Sequence, residues 1–180
     1  KTVKGDLIGQ FYTFQVVEAD SRWTLHETPG IFAKAVGVNG HRAAIIDFAS
    51  TNPVGWEEDV RPAFDAAKNA IVYEMHHRDM TIHPTSGIQN KGKFLAWTEH
   101  GTTTEEGLAT GIDHLLELGI THVQILPSYD YGSVDETRLS DNRYNWGYDP
   151  ENYNVPEGGY STNPYDPASR IREMKQMIQA

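Results

Sequence analysis

The chain has no cysteine, which excludes disulfides and thiolate metal sites but does not identify a redox compartment. Positive charge is scarce: 15 Lys and Arg stand against 25 Asp and Glu, a formal net charge of −10. That balance disfavours nucleic acid backbones and anionic lipid as partners, whereas neutral polyols are indifferent to it. No apolar run approaches the ~18–20 residues needed to cross a bilayer, so membrane insertion is set aside as well. Phosphate-cradling loops, dinucleotide fingerprints and G-x-S-x-G elbows are absent, and Gly158-Gly159 reads as a turn. What is present, 38% hydrophobic and 22% charged residues over 180 positions, fits one globular domain or parts of two.

Short β-branched and aromatic runs at Phe11–Val17, Arg22–Leu25 and Ala43–Phe48 are separated by turn formers at Asp20-Ser21, Pro29-Gly30 and Asn39-Gly40. The first third is therefore expected to be all-β. Residues 49–69 lose this pattern and read as a linker or packed connection. Ala70–His76 is then nearly continuous apolar sequence of strand length, the mark of a strand covered on both faces. Thr103 with Glu106 offers a capping box, and Leu108, Ile112, Leu115 and Leu116 form one stripe ended by Gly119. Thr121–Pro127 follows as a second strand, completing a strand, helix, strand crossover, which is nearly always right-handed. Asp166-Pro167 opens a second helix with a carboxylate cap and a first-turn proline, with Ile171, Met174 and Ile178 on its stripe. That helix runs to Ala180 without a capping glycine, and residue 1 is Lys, so the polypeptide is expected to continue beyond both ends.

The loop from Ser128 to Asp166 far exceeds the ~2–6 residues usual between such elements, which marks it as functional. It holds Tyr144-Asn145-Trp146-Gly147-Tyr148-Asp149-Pro150. Three aromatic rings beside an amide and a carboxylate suit stacking on a pyranose face and bonding its hydroxyls. Tyr148, Asn145, Asp149 and Trp146 are the candidate substrate-binding residues, the order among them being set by the resemblance described below. The plainer reading has Trp146 and Tyr144 packing the loop and Asp149-Pro150 turning it. In Tyr73–Asp79, Glu74 and Arg78 are expected to form an ion pair at the strand end, with His76 and His77 on opposite faces. The histidines lack zinc-ligand spacing, and no transition-metal site is assigned. Asp130, Asp135, Glu136 and Asp141 crowd the long loop as calcium ligands would, although a solvated acidic loop is the commoner outcome.

The Tyr144–Pro150 motif, followed by Val155-Pro156-Glu157-Gly158 and Tyr160-Ser161-Thr162-Asn163-Pro164, resembles the type I pullulanases of the α-amylase superfamily. Ala33–Gly40 and Tyr73–Asp79 resemble matching stretches there, and the likeness covers roughly residues 30–180. It implies a mixed fold: 1–50 as the C-terminal part of an all-β sandwich, 51–69 as a linker, and 70–180 as the first two β/α units of a (β/α)8 TIM barrel. A full barrel needs eight such units in roughly 250 residues, so this one is incomplete. The resemblance further implies a portion of a debranching glycoside hydrolase that cleaves α-1,6-glucosidic linkages of starch or pullulan by a retaining mechanism. Relatives carry the catalytic carboxylates on later strands. No catalytic residue is therefore assigned, and the chain alone is expected to be inactive. Its share would be substrate positioning, with Tyr148 in the place of the tyrosine that stacks on the sugar being cleaved and Asn145 beside that ring. The implied partners are an α-glucan (pullulan, branched dextrins) and the remainder of the enzyme, as a second chain if the protein is cleaved. No cofactor is required, calcium being the open case. Two other readings remain: a non-catalytic α-glucan-binding module, and a self-sufficient small α/β protein.

Overall fold

Turns and short 3-10 segments, more than long strands, organise the chain. A computed structural model describes residues 2–17 and 26–180. Strand β1 (Phe11–Tyr12) pairs antiparallel with β2 (Ala43–Ala44), and the bridges Phe14 to Thr28 and Val36 to Ala43 extend the contact. The expected strands over 11–17 and 43–48 thus shrink to two residues each. Phe14, Val16 and Val17 stay exposed, with no second sheet packed on them among the described residues, while Asp47 accepts from the Ala49 N–H and turns the chain. The expected strand Arg22–Leu25 and turn Asp20-Ser21 lie outside the described residues. Ala33, Val36 and Ala43 pack with Val155, so this region is sealed onto the second half of the chain.

Strand β3 (Val72–Met75) pairs in parallel with β4 (His122–Ile125), and helix α1 (Gly111–Glu117) lies between them in sequence. This is the expected crossover, with two corrections. The capping box does not form: Thr103 bridges to Ala109 instead, and the helix begins only at Gly111. Leu108 therefore lies outside it, and of the stripe only Leu115 is buried. Second, Val72, Glu74, His122 and Gln124, which share one face of the pair, are all exposed, so the described residues cover the other face only. The covered face meets Ile88, Ala96, Trp97 and Leu115 in the principal core, with Tyr73, Ile120 and Ile125 packed against it.

The long loop is itself structured. Strand β5 (Tyr129–Tyr131) pairs antiparallel with β6 (Pro150–Pro156), with irregular register on both sides of Asp130. Helix α2 (Pro167–Gln179) starts as expected, with the Asp166 carboxylate accepting from the Ala168 N–H. Ile171 is buried, whereas Ile178 is 57% exposed at the far end. Lys175 of this helix reaches back to the Phe48 carbonyl at 3.3 Å and the Thr51 hydroxyl at 2.8 Å.

Candidate functional site

The segment between β5 and β6 carries Tyr144, Trp146 and Tyr148, which are 49%, 63% and 62% exposed. Rings of this size are normally buried, so exposing three in five residues leaves apolar faces free for a flat ligand. The backbone beneath them is tightly fixed. Gly147 has φ +88°, and a Cβ there would lie 2.3 Å from the Pro127 carbonyl oxygen, so only glycine can pass beneath the end of β4. Its N–H donates to Asn145 Oδ1 at 2.7 Å, a local turn that swings Trp146 outward.

The second anchor is His76, just after β3. Its Nδ1 accepts from the Asp79 N–H at 3.2 Å, which assigns the proton to Nε2, and Nε2 donates to the Asn145 carbonyl at 2.7 Å. The Tyr144 ring lies over the imidazole, centroids 5.0 Å apart and tilted 38°. Thus the C-terminal ends of both parallel strands hold the aromatic segment, one by shape and one by a hydrogen bond.

Asp149 is exposed and accepts a short hydrogen bond from the Ser133 hydroxyl. Partial desolvation works to raise its pKa, but that bond, the nearby Asn145 amide and backbone donors together hold it below the usual aspartate range. It is a carboxylate at neutral pH. The Asn145 Nδ2 is buried near it without completing a hydrogen bond of normal geometry. Of the four candidates, Tyr148, Trp146 and Asp149 therefore face outward, while Asn145 serves the loop's backbone with its side chain and carbonyl.

Two expectations about the strand end are corrected. Glu74 is exposed, and Arg78 pairs with Asp79 at 3.0 Å and donates to Asn142 rather than bonding Glu74. The adjacent histidines are both buried, not on opposite sides, because the chain turns immediately after Met75. His77 is enclosed by Tyr160, Phe94 and Trp97, with ring centroids at 4.5, 5.0 and 6.0 Å. Burial pushes its pKa down to about 3, so it is neutral, and neither ring nitrogen makes a hydrogen bond of normal geometry.

Behind the aromatic segment lies a cluster that the sequence only hinted at. Arg170 of α2 is fully buried and binds Asp130 at 3.1 Å, Glu136 at 3.0 Å and the Pro156 and Pro164 carbonyls. Glu157 joins them, accepting from the Tyr131 and Gly159 N–H groups. Asp130, Glu136 and Glu157 can bring one oxygen each within 4.8 Å of one another. The acidic crowd thus divides. Asp130 and Glu136 turn inward onto a guanidinium, Asp135 stays exposed and caps Thr137, and Asp141 pairs with Arg138. An arginine bound to two of its carboxylates is unlike the all-oxygen cage that calcium takes. Burial raises Asp130 to about 6 and Glu157 to about 8, since one cation cannot hold three buried carboxylates ionised. Arg170 was legible only as a helix residue, and Glu157 only as part of the Val155-Pro156-Glu157-Gly158 motif. The signal for them was an arginine set between Ser169 and Ile171, on the inner edge of the apolar stripe.

No protein-family model matches the chain. Its sequence is 44% identical over 177 residues to a pullulanase of Bacillus subtilis (strain 168), an alignment covering 98% of this chain and 24% of that protein. The chain is homologous to a segment of the pullulanases. A solved pullulanase from Paenibacillus barengoltzii, in complex with maltohexaose and α-cyclodextrin, matches this chain with a TM-score of 0.94 at 54% identity. The match covers 98% of this chain and 27% of that one. Pullulanase from Anoxybacillus sp. LM18-11, complexed with maltotetraose, matches with a TM-score of 0.87 at 40% identity over 98% of this chain and 25% of its own. The chain therefore spans about a quarter of the length of these pullulanases.

Proposed function

We propose that this chain is the portion of a debranching glycoside hydrolase that positions α-glucan next to catalytic carboxylates carried elsewhere in the enzyme. The observation that carries the reading is the exposed Tyr144–Tyr148 ring set on a backbone clamped by His76 and Gly147 at the ends of two parallel strands. In open and closed parallel α/β sheets, ligands bind at that end. Tyr148 stacks on the sugar at the scissile bond; Asp149 and Trp146 bind around it, and Asn145 holds the loop in place. The bond cleaved is an α-1,6 branch linkage of pullulan or branched dextrin. Hydrolysis is retaining, through a glycosyl intermediate on a carboxylate, with the two carboxyl groups ~5–5.5 Å apart. Alone, the chain positions substrate without turning it over.

The domain limits we assign are a sandwich end at 1–50, a connection at 51–69, and the first two β/α units of a (β/α)8 barrel at 70–180. The exposed Ile71, Val72 and Val123 support this, since further strands and helices would cover them. The remainder of the enzyme, in the same polypeptide or a second chain, supplies those elements.

Replacing Tyr148 by Ala in the complete enzyme tests the reading. Turnover of a branched dextrin should fall at least ~10-fold, about 1.4 kcal/mol of transition-state stabilisation. Turnover within a factor of two of the unsubstituted enzyme would remove Tyr148 from the site.

A further inference from the structure

A cleft of about 220 Å³ opens beside the aromatic segment, between the turn after β3, the Lys91–Lys93 turn and the residues before Tyr144. Four cationic residues line it, Arg78, Lys91, Lys93 and Arg143, with Asn142, the buried Tyr131 and Tyr160 and an apolar patch between them. This is unexpected in a chain with 15 cationic residues and a net charge of −10. Gathering over a quarter of the cations around one small cleft costs mutual repulsion unless something there is negative.

The protein supplies little of that negative charge. Of these four, only Arg78 has an ion-pair partner among the described residues, Asp79 at 3.0 Å, and its second nitrogen donates to the neutral Asn142 amide. Lys93 donates to the Gly159 carbonyl at 2.8 Å and Lys91 to that of Ile88, bonds that orient an ammonium without neutralising it. Arg143 is exposed and makes no ion pair among the described residues. Glu173, Glu157 and Glu136 act on Lys93 from the protein side, yet burial still outweighs them and pushes its pKa down. Two fork-shaped donors and two point charges around a concave space form a receptor for a tetrahedral oxyanion. At ~30 Å³ per water, the cleft has room for roughly seven waters, enough for one such group and its nearest waters.

We propose that this cleft binds a phosphate-class oxyanion, either as free phosphate or as a phosphomonoester on a sugar held by the neighbouring aromatic segment. The phosphorylated-sugar source rests on the glucan reading above; the oxyanion site does not.

The test is calorimetric titration of the complete enzyme with inorganic phosphate, glucose 6-phosphate and glucose, at ionic strength held constant with sodium chloride. Phosphate should bind saturably at one site, and Arg143→Ala and Lys91→Ala should each weaken it at least ~10-fold. Lys34→Ala, on an exposed residue outside the cleft, should leave it unchanged. Glucose 6-phosphate binding ~10-fold more tightly than phosphate identifies the phosphorylated sugar as the ligand. Equal affinity for the two identifies free phosphate and leaves the glucan reading untouched. Heat changes no larger than those of the chloride control, or affinities insensitive to Arg143 and Lys91 in variants that melt with the unsubstituted enzyme, would overturn the site.

Discussion

The segment from Ser128 to Asp166 is built in two opposite ways. Its base buries charge: Asp130, Glu136 and Glu157 are 2%, 3% and 0% exposed around Arg170. Its tip exposes rings that would ordinarily be buried. The tyrosines repeat the contrast, since Tyr131 and Tyr160 lie inside with phenol pKa values raised by burial, whereas Tyr148 lies in the open. A tip made of stacking surfaces has no core of its own. It stays ordered because the base beneath it is tied to two other parts of the chain: α2 through Arg170, and the Asn39-Gly40 turn through Glu136 at 2.7 Å and Asn152 at 3.1 Å.

The largest effect expected from disturbing this arrangement is at the base. Arg170→Met leaves Asp130 and Glu136 buried without their cation, and urea unfolding should show a loss of ~3–5 kcal/mol. Arg170→Lys should recover only part of it, because one ammonium cannot serve two carboxylates and two carbonyls as a planar fork does.

The pH dependence of stability should show both halves of the design. Glu157 and Asp130 have raised folded-state values, about 8 and about 6, so their contribution is complete below the ordinary carboxylate pKa and is lost as pH rises toward 8. His77 is depressed to about 3, so its contribution is present above ~6.5 and is lost as pH falls toward 3. Between pH ~4.5 and ~6.5 the two trends oppose each other. With two carboxylates against one histidine, unfolding free energy should already decline with rising pH between ~4.5 and ~6, decline further toward 8 through Glu157, and fall on the acid side toward 3 through His77, each group contributing up to ~1.4 kcal/mol per pH unit. In urea titrations from pH 3 to 9, Glu157→Gln should flatten the alkaline limb and His77→Phe the acid limb. Limbs unchanged in those variants would assign the dependence to other groups.

A smaller effect is expected at the joint between base and tip. His76→Phe keeps the ring beneath Tyr144 but leaves the Asn145 carbonyl without its donor, for a cost of ~1–3 kcal/mol. Hydrogen exchange should then quicken at residues 144–148 ahead of the core. The smallest effect should come from the tip. Tyr148→Ala and Trp146→Ala should each shift stability by no more than ~0.5 kcal/mol, as exposed substitutions do, while Tyr148→Ala impairs the complete enzyme. A loss of several kcal/mol from either would mean that these rings pack the loop after all.

Several features were legible in the residues themselves because their causes are local. Asp166-Pro167 sets the start of α2 through a cap and a fixed φ, Gly119 stands just after α1 at φ +68°, and the Val72–Met75 and His122–Ile125 runs pair in parallel as the strand, helix, strand order implied. The aromatic motif was recognisable for the same reason, since seven consecutive residues carry it. Other features were not. Thr103 and Glu106 satisfy a capping pattern, but the Thr103 to Ala109 bridge takes that backbone before a helix can. Glu74 and Arg78 stand four apart as an ion pair would, but the chain turns after Met75 and sends Arg78 to Asp79 and Asn142.

The sequence alone determined which groups the chain carries: its negative balance, its lack of thiols, its crossover unit and its exposed-type aromatic run. Only the tertiary structure decided which of them meet. Asp130, Glu136, Glu157 and Arg170 are spread over forty positions, and Arg78, Lys93 and Arg143 over more than sixty. Periodicity and propensity act over a few residues, whereas burial and electrostatic pairing depend on distances in space that folding alone sets.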